Sequence, residues 1–185
     1  MERSTIFAGF GGQGILFAGT ILARAAMAEG KEVLWIPSYG PEMRGGTASC
    51  TVIVADEEIG SPVLDHADAA VVLNPPSLAR FEGAIAAGGL LVMNRTLIEA
   101  DPQRTDIEIV AVPCTALAKT AGDDRLVSVV ALGALVAARP WLASRAAVRA
   151  AIEAVVSKKR PEILDADLGA FEAGFAAARQ VSAAR

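Results

Sequence analysis

The residues best placed to do chemistry in this chain are glycines and polar side chains that follow short apolar runs. Gly9, Gly11, Gly12 and Gly14 sit in Gly9-Phe10-Gly11-Gly12-Gln13-Gly14, directly after the apolar run Thr5 to Ala8. Glycines at the start of a helix leave backbone N–H groups open, an arrangement that suits a phosphate, a pyrophosphate or a carboxylate. The same glycines would also make a tight turn that lets the helix pack on a sheet, and both readings stay open. The spacing satisfies G-x-G-x-x-G, but a dinucleotide site also needs an acidic residue about 20 positions on. That region reads Leu34-Trp35-Ile36-Pro37-Ser38, and no carboxylate follows until Glu42. A phosphate loop of the Walker type needs Lys and Ser/Thr where this chain has Ile15 and Leu16. Neither a nicotinamide cofactor nor a nucleoside triphosphate is therefore well supported.

A second polar loop follows the next apolar run: Pro37-Ser38-Tyr39-Gly40-Pro41-Glu42-Met43-Arg44-Gly45-Gly46. Its prolines stiffen the backbone and its glycines permit close approach of a ligand or partner. Arg44 offers a guanidinium that meets a carboxylate or phosphate with two parallel hydrogen bonds. A solvated loop arginine is the simpler alternative. Later runs end in Asn74-Pro75-Pro76-Ser77, Asn94-Arg95-Thr96 and Pro113-Cys114-Thr115. In open α/β sheets, ligands bind beyond the carboxyl ends of the strands. The polar residues that follow these runs would thus converge on one edge. The candidate binding residues are Gly9, Gly11, Gly12, Gly14, Ser38, Tyr39, Arg44, Gly45, Gly46 and Asn74, and no catalytic residue is proposed.

The remaining reactive side chains argue against chemistry by this chain itself. Cys50 and Cys114 are far apart, with no C-x-x-C pair, which excludes a cysteine-ligated iron–sulfur cluster or a zinc site within the chain. Cys114 has no evident base and reads as a small packing residue. His66 is the sole histidine, and its Asp65 and Asp68 neighbours bring no nucleophile with them. It reads as a surface or capping residue.

These loops need a scaffold, and the patterning supplies one. Strands are predicted at Thr5–Ala8, Glu32–Ile36, Ala48–Val54, Ile59–Leu64, Ala69–Leu73, Leu90–Met93 and Ile107–Val112. The pair at 48–54 and 59–64 reads as an added β-hairpin with Pro62 at an edge. Helices are predicted at 15–29, with Gly30 as its stop, and at 75–87, with Gly88-Gly89 as its stop. A helical C-terminal region follows, at 115–121, 125–139, 144–159 and 161–179. Strands alternating with helices predict one Rossmann-like, three-layer α/β domain over residues 1–185. Its sheet would be mostly parallel and twisted, with helices on both faces. If the first two strands are parallel neighbours, the Arg44 loop lies beside Gly9–Gly14. The segment Leu126 to Val136 is apolar on all sides and must be buried all round, so a subunit interface is one reading.

Composition sets the outer bounds. The chain has 185 residues, 53% of them hydrophobic and 21% charged, which rules out disorder. There are 38 alanines, so its helices can pack closely. A net charge of −4 and no basic cluster larger than Lys158-Lys159-Arg160 exclude nucleic acid as the main partner. No segment approaches the ~20 apolar residues of a membrane span. The opening residues have no secretory pattern, and the expectation is a cytoplasmic protein.

Several motifs together resemble one family. They are Gly9–Gly14, Pro37–Thr47, Ile59-Gly60-Ser61-Pro62, Asn74–Leu78 and Ala131-Leu132-Gly133-Ala134-Leu135. They are similar to the gamma subunit of 2-oxoacid:ferredoxin oxidoreductases, across residues 5–178. The segment Ser38–Gly46 looks most like the 2-oxoglutarate branch. Ser128 departs from the family, in which many members carry Asn. The resemblance implies an enzyme that converts a 2-oxoacid, coenzyme A and oxidised ferredoxin to acyl-CoA, carbon dioxide and reduced ferredoxin. It implies alpha, beta and delta subunits as partners, with thiamine diphosphate between alpha and beta and iron–sulfur clusters on beta or delta. Ferredoxin would be met through those partners. The gamma domain is associated with coenzyme A, which brings the glycine loop and the Arg44 loop forward as its contacts. Alternatives remain: a purely structural assembly subunit, or a stand-alone nucleotide-binding α/β protein. Alone, the chain is expected to self-associate, as a homodimer, through the Leu126–Val136 helix.

Overall fold

Strand pairing in the computed structural model, which describes residues 1–38, 47–61, 63–159 and 161–183, gives one six-stranded sheet. Its strands are β1 (Glu2–Phe10), β2 (Glu32–Ser38), β3 (Thr47–Ala55), β4 (Ala67–Val72), β5 (Ile85–Asn94) and β6 (Glu108–Val112). The order across the sheet is β2-β3-β1-β4-β5-β6. The pairs β1/β4, β4/β5 and β5/β6 are parallel, and β3 runs antiparallel to both of its neighbours. Five strands therefore point one way, and their carboxyl ends share an edge. The helices are α1 (Ile15–Ala28), α2 (Pro75–Phe81), α3 (Cys114–Thr120), α4 (Val127–Ala138), α5 (Arg145–Lys159) and α6 (Leu164–Ala183).

The strand sequences explain the layers. Side chains alternate between the two faces of a strand, so a run with both faces covered is apolar throughout. In β4 and β5, Val71, Leu90 and Val92 face a core built with α1, α4, α5 and α6. Ala70, Val72, Leu91 and Met93 face the opposite side, with Leu78 of α2, Ile98 and Ile107. Helices therefore cover both faces, as the patterning predicts.

Three local expectations change. First, β1 and β2 are not neighbours, because β3 inserts between them. β3 pairs antiparallel with β2 on its other side, and residues 39–46, which connect the two, lie outside the described residues. Second, residues 59–61 and 63–64 form no strand. β3 is hydrogen-bonded along both edges, to β1 and to β2, so a returning strand has no edge to join. Pro62 lies outside the described residues. Third, the helix from Pro75 ends at Phe81, and β5 begins at Ile85 after one 3-10 turn. Tertiary pairing overrides the helical propensity of Ala86 and Ala87. Ala67 pairs with Ile85 and Ala69 with Leu90, and the bulge between them holds Gly88 at φ +73°. Gly88-Gly89 serves that bulge and does not stop a helix.

The apolar helix α4 is buried within its own chain. Every residue from Val127 to Val136 is buried, between the sheet and α6. Two glycines bring the two helices together: a side chain on Gly133 would run into the Phe171 carbonyl, and one on Gly174 into the Val130 carbonyl. The expected self-association through this helix therefore loses its basis, because α6 occupies the face that an interface would need. Gly133→Ala is expected to cost about 1–3 kcal/mol through overpacking. Urea denaturation should show a lower midpoint with an unchanged slope.

Cys50 and Cys114 are both buried, and burial pushes each thiol up to about 12. The packing role read for Cys114 holds. Neither thiol should react with a disulfide reagent at pH 8 in the native protein, and both should react once urea unfolds it.

Candidate functional site

The carboxyl edge of the sheet carries the glycine loop. Gln13 N–H donates to the Phe10 carbonyl at 3.1 Å, closing a turn that delivers the chain into α1. Gly12 (φ +94°) and Gly14 (φ +78°) hold left-handed backbone that side chains rarely adopt. Gly14 is the residue before α1, and no side chain caps that helix. The first-turn amides of α1 lack intrahelical acceptors. No acidic side chain lies in that turn to neutralise the positive end of the helix dipole. Gly11 and Gly12 are exposed. A Cβ on Gly12 would meet nothing within 4 Å, so this part of the loop is open to an approaching group. Gly9 is different. It is the penultimate residue of β1, and a Cβ there would come within 2.7 Å of Gln13 Oε1. Its role is to let Gln13 fold back, where Oε1 accepts from Phe10 N–H at 2.7 Å.

Asn74 is fully buried and already occupied. Its Oδ1 accepts from Ser77 N–H at 2.9 Å and caps α2, while its Nδ2 reaches Gln13 Oε1 at 3.4 Å. It braces the glycine loop from beneath. Asn94 does the same one strand further on. Its Nδ2 donates to Leu73 O at 3.2 Å and to Thr115 Oγ1 at 2.8 Å. Its Oδ1 accepts from the Thr115 and Thr96 amides. Both asparagines are load carriers of this edge, with their polar atoms turned inward.

Ser38 ends β2 and pairs with Ser49, which in turn pairs with Ala8. It thus stands at the same edge as Gly9 but two strands away, about 10 Å. The expectation that β2 abuts the glycine loop is corrected by that intervening strand. Thr47, at the far end of the 39–46 connection, pairs with Phe10 itself. Tyr39, Arg44, Gly45 and Gly46 lie outside the described residues. His66 is exposed, and Asp68 accepts from Arg3 Nη1 at 2.6 Å and from Ser4 N–H at 2.8 Å, so no catalytic pair forms there.

Two residues outside the candidate binding set also meet the loop. Ser128, in the first turn of α4, is buried, and its Oγ has no hydrogen-bond partner among the described residues. A Cβ on Gly14 would lie 2.5 Å from that Oγ. Arg125, just before α4, is exposed and pairs with Asp123 at 2.6 Å. A cation at a helix N-terminus opposes the helix dipole. That oddity is the signal that could have flagged Arg125. Gly14→Ala is expected to cost about 2–4 kcal/mol, from the left-handed backbone and the Ser128 clash together. Adding Ser128→Ala should restore the steric part but not the backbone part, and thermal melts of the single and double variants would measure the difference.

Residues 4–177 match the profile of the pyruvate ferredoxin/flavodoxin oxidoreductase family. The chain belongs to that family. It is 38% identical over 173 residues to ketoisovalerate oxidoreductase subunit VorA of Methanothermobacter marburgensis, covering 94% of this chain and 36% of the relative. The chain thus spans about a third of the length of that relative. A keto/oxoacid ferredoxin oxidoreductase gamma subunit from Geobacter sulfurreducens PCA superposes with a TM-score of 0.83 at 30% identity. That match covers 96% of this chain and 99% of the other. A third likeness is to 2-oxoglutarate:ferredoxin oxidoreductase from Magnetococcus marinus, a structure with 2-oxoglutarate, coenzyme A and succinyl-CoA bound. There the TM-score is 0.88 at 26% identity, over 97% of this chain and 31% of that chain. The family's fold is therefore the fold described above, and in the longer relatives the match covers only part of one chain.

Proposed function

We propose that this chain, as a single 185-residue domain, is the gamma subunit of a cytoplasmic 2-oxoacid:ferredoxin oxidoreductase and holds coenzyme A for it. The observation that carries the reading is the open glycine turn at the N-terminus of α1. Gly11 and Gly12 are exposed there, the dipole end carries no side-chain cap, and Arg125, ion-paired with Asp123, stands nearby. Such a terminus binds phosphate groups through backbone amides and dipole together. Of the bound molecules named for the Magnetococcus relative, coenzyme A and its thioester succinyl-CoA carry phosphates, and 2-oxoglutarate does not. Tyr39, Arg44, Gly45 and Gly46 remain candidate contacts through the family resemblance, with Ser38 at the base of their segment.

The alpha, beta and delta subunits would supply the rest: thiamine diphosphate, iron–sulfur clusters and the contact with ferredoxin. This chain would complete the active-site wall, and none of its own side chains takes part in the redox step. The 2-oxoacid we favour is 2-oxoglutarate, on the resemblance of Ser38–Gly46 and the Magnetococcus likeness. A branched-chain 2-oxoacid is the second reading, because the ketoisovalerate relative is 38% identical. The test is co-expression with the partner subunits, followed by viologen reduction with each 2-oxoacid and with varied coenzyme A. Turnover is expected in the complex, strictly dependent on coenzyme A, and none from this chain alone. Activity of the isolated chain would overturn the subunit assignment.

A further inference from the structure

On the edge of the sheet opposite the glycine turn, β4 and β5 part around an irregularity in their pairing. Ala67 pairs with Ile85 and Ala69 with Leu90, so one residue of β4, Asp68, faces the β5 stretch Ala86 to Gly89. Bulges interrupt pairing and re-aim side chains, and they are frequent beside active sites. That stretch and Asp68, with Arg3, Arg139 and Trp141, line a cavity of about 260 Å³. Both guanidiniums there are only partly used. Arg3 gives Nη1 to Asp68 Oδ1 at 2.6 Å. Arg139 gives Nη1 to Glu108 Oε2 at 2.8 Å and to the Ala138 carbonyl at 3.0 Å. Asp68 has no more to offer, because its Oδ2 already accepts from the Ser4 amide and hydroxyl. Among the described residues, no acceptor meets Nε or Nη2 of either arginine. The Arg139 side chain is only 21% exposed, and covered donors of this kind need partners. Arg3 lies over the Trp141 ring, 5.7 Å from its centroid, and Lys31 Nζ donates to the Trp141 carbonyl.

We propose that this cavity is a binding site for a small free carboxylic acid, held as its anion by the unused edges of Arg3 and Arg139. Nε and Nη2 of one guanidinium present two parallel N–H groups, the fork that a carboxylate meets with two hydrogen bonds. A carboxylate has about four acceptor positions, enough for both forks. The indole of Trp141 supplies an apolar wall for the carbon body. The charges suit a monoanion. Arg3 and Arg139 stand against Asp68 and Glu108, and Lys31 leaves one positive charge over. A phosphate dianion would exceed it. Pockets for drug-sized ligands start at about 300 Å³, so this one admits only a small acid. The site lies at the far end of the sheet from the glycine turn and does not depend on coenzyme A. An occupant would tie the starts of β1 and β4 and the β5 bulge to the segment that follows α4.

Titration of the full chain with acetate, succinate, inorganic phosphate and acetamide tests this, at physiological ionic strength so that unspecific attraction is screened. Calorimetry gives the affinity. The Trp35→Phe variant leaves Trp141 as the sole indole, so its fluorescence reports the place. Acetate and succinate are expected to give a saturable response in both measurements. Phosphate should bind more weakly, and acetamide, with the shape but not the charge, should give none. Arg139→Gln should weaken the carboxylates by about 10- to 150-fold, the loss of one charged hydrogen-bonding partner. That variant also frees Glu108, so a second one leaves both ion pairs in place. Ala87→Glu, at an exposed position lining the cavity, supplies a carboxylate from the chain itself and should abolish the response to free acids. No saturable response in the unmodified chain would overturn the site. An undiminished response in Ala87→Glu and Arg139→Gln would place the anion elsewhere and overturn it as well. Phosphate binding more tightly than the carboxylates would overturn the ligand class. Carboxylate binding that disappears once the complex is assembled would mean that an acidic side chain of a partner fills the cavity, and would overturn the free ligand.

Discussion

Val130→Asp is expected to abolish the cooperative folding of this chain. Val130 is fully buried in α4, and its carbonyl lies where α6 crosses at Gly174. Val130 lies within the apolar core cluster, so the new carboxylate would have to stay protonated or drag water into the core. Burial of an unpaired charge costs several kcal/mol after such relaxation. A domain of ordinary stability holds only about 5–15 kcal/mol in total. Val130→Ala separates charge from volume, and should cost about 2 kcal/mol from the cavity alone. The measurement is urea denaturation followed by circular dichroism. Val130→Asp should show no native baseline, and Val130→Ala an ordinary transition at a lower midpoint. A native-like transition for Val130→Asp would mean that α6 does not cover α4.

The same helix shows where the sequence is legible and where it stops. Apolar residues at every position of Leu126–Val136 require burial on all sides, and that is what α4 has. What covers it is not legible locally. α6 carries Asp165, Asp167 and Glu172 among its apolar residues, and the meeting of Gly133 with Gly174 reveals it as the cover. Strand neighbours are opaque for a related reason. Alternation in 47–55 reports a strand, but hydrogen-bonding partners depend on chain segments far away. β3 could thus enter between β1 and β2 unannounced. The glycine turn was legible because φ > 0 leaves a compositional mark. A cavity of about 290 Å³ behind it was not, since Phe17, Val129, Val155 and Asp167, which line it, come from α1, α4, α5 and α6. Asn74 and Asn94 were visible as polar residues at strand ends. Their inward hydrogen bonds, which make them braces of the edge, depend on a third dimension that a list of residues lacks.

Gly12→Asp should leave the fold intact and raise the apparent KM for coenzyme A by about two orders of magnitude. Sterically the site is open, since a Cβ meets nothing within 4 Å. The left-handed backbone at φ +94° costs the substitution about 1–2 kcal/mol. A carboxylate near the uncapped N-terminus of α1 returns about 0.3–1 kcal/mol through the helix dipole. Stability should therefore change little. Binding is another matter, because the carboxylate stands where the phosphates must approach. Two like charges about 5 Å apart repel by about 3 kcal/mol at an effective dielectric of about 20, which is a factor of about 100. Gly12→Ala carries the backbone cost without the charge and should bind coenzyme A nearly as well as the unmodified chain. The comparison also separates the two roles open to this turn. If it holds coenzyme A, the variant complex elutes intact from a sizing column and only its coenzyme A dependence moves. If the turn docks a partner subunit, the variant loses that subunit on the column, and any complex that survives keeps its original KM. An intact complex with an unaltered KM in Gly12→Asp would remove the turn from both roles and leave it as a bend that lets α1 pack on the sheet.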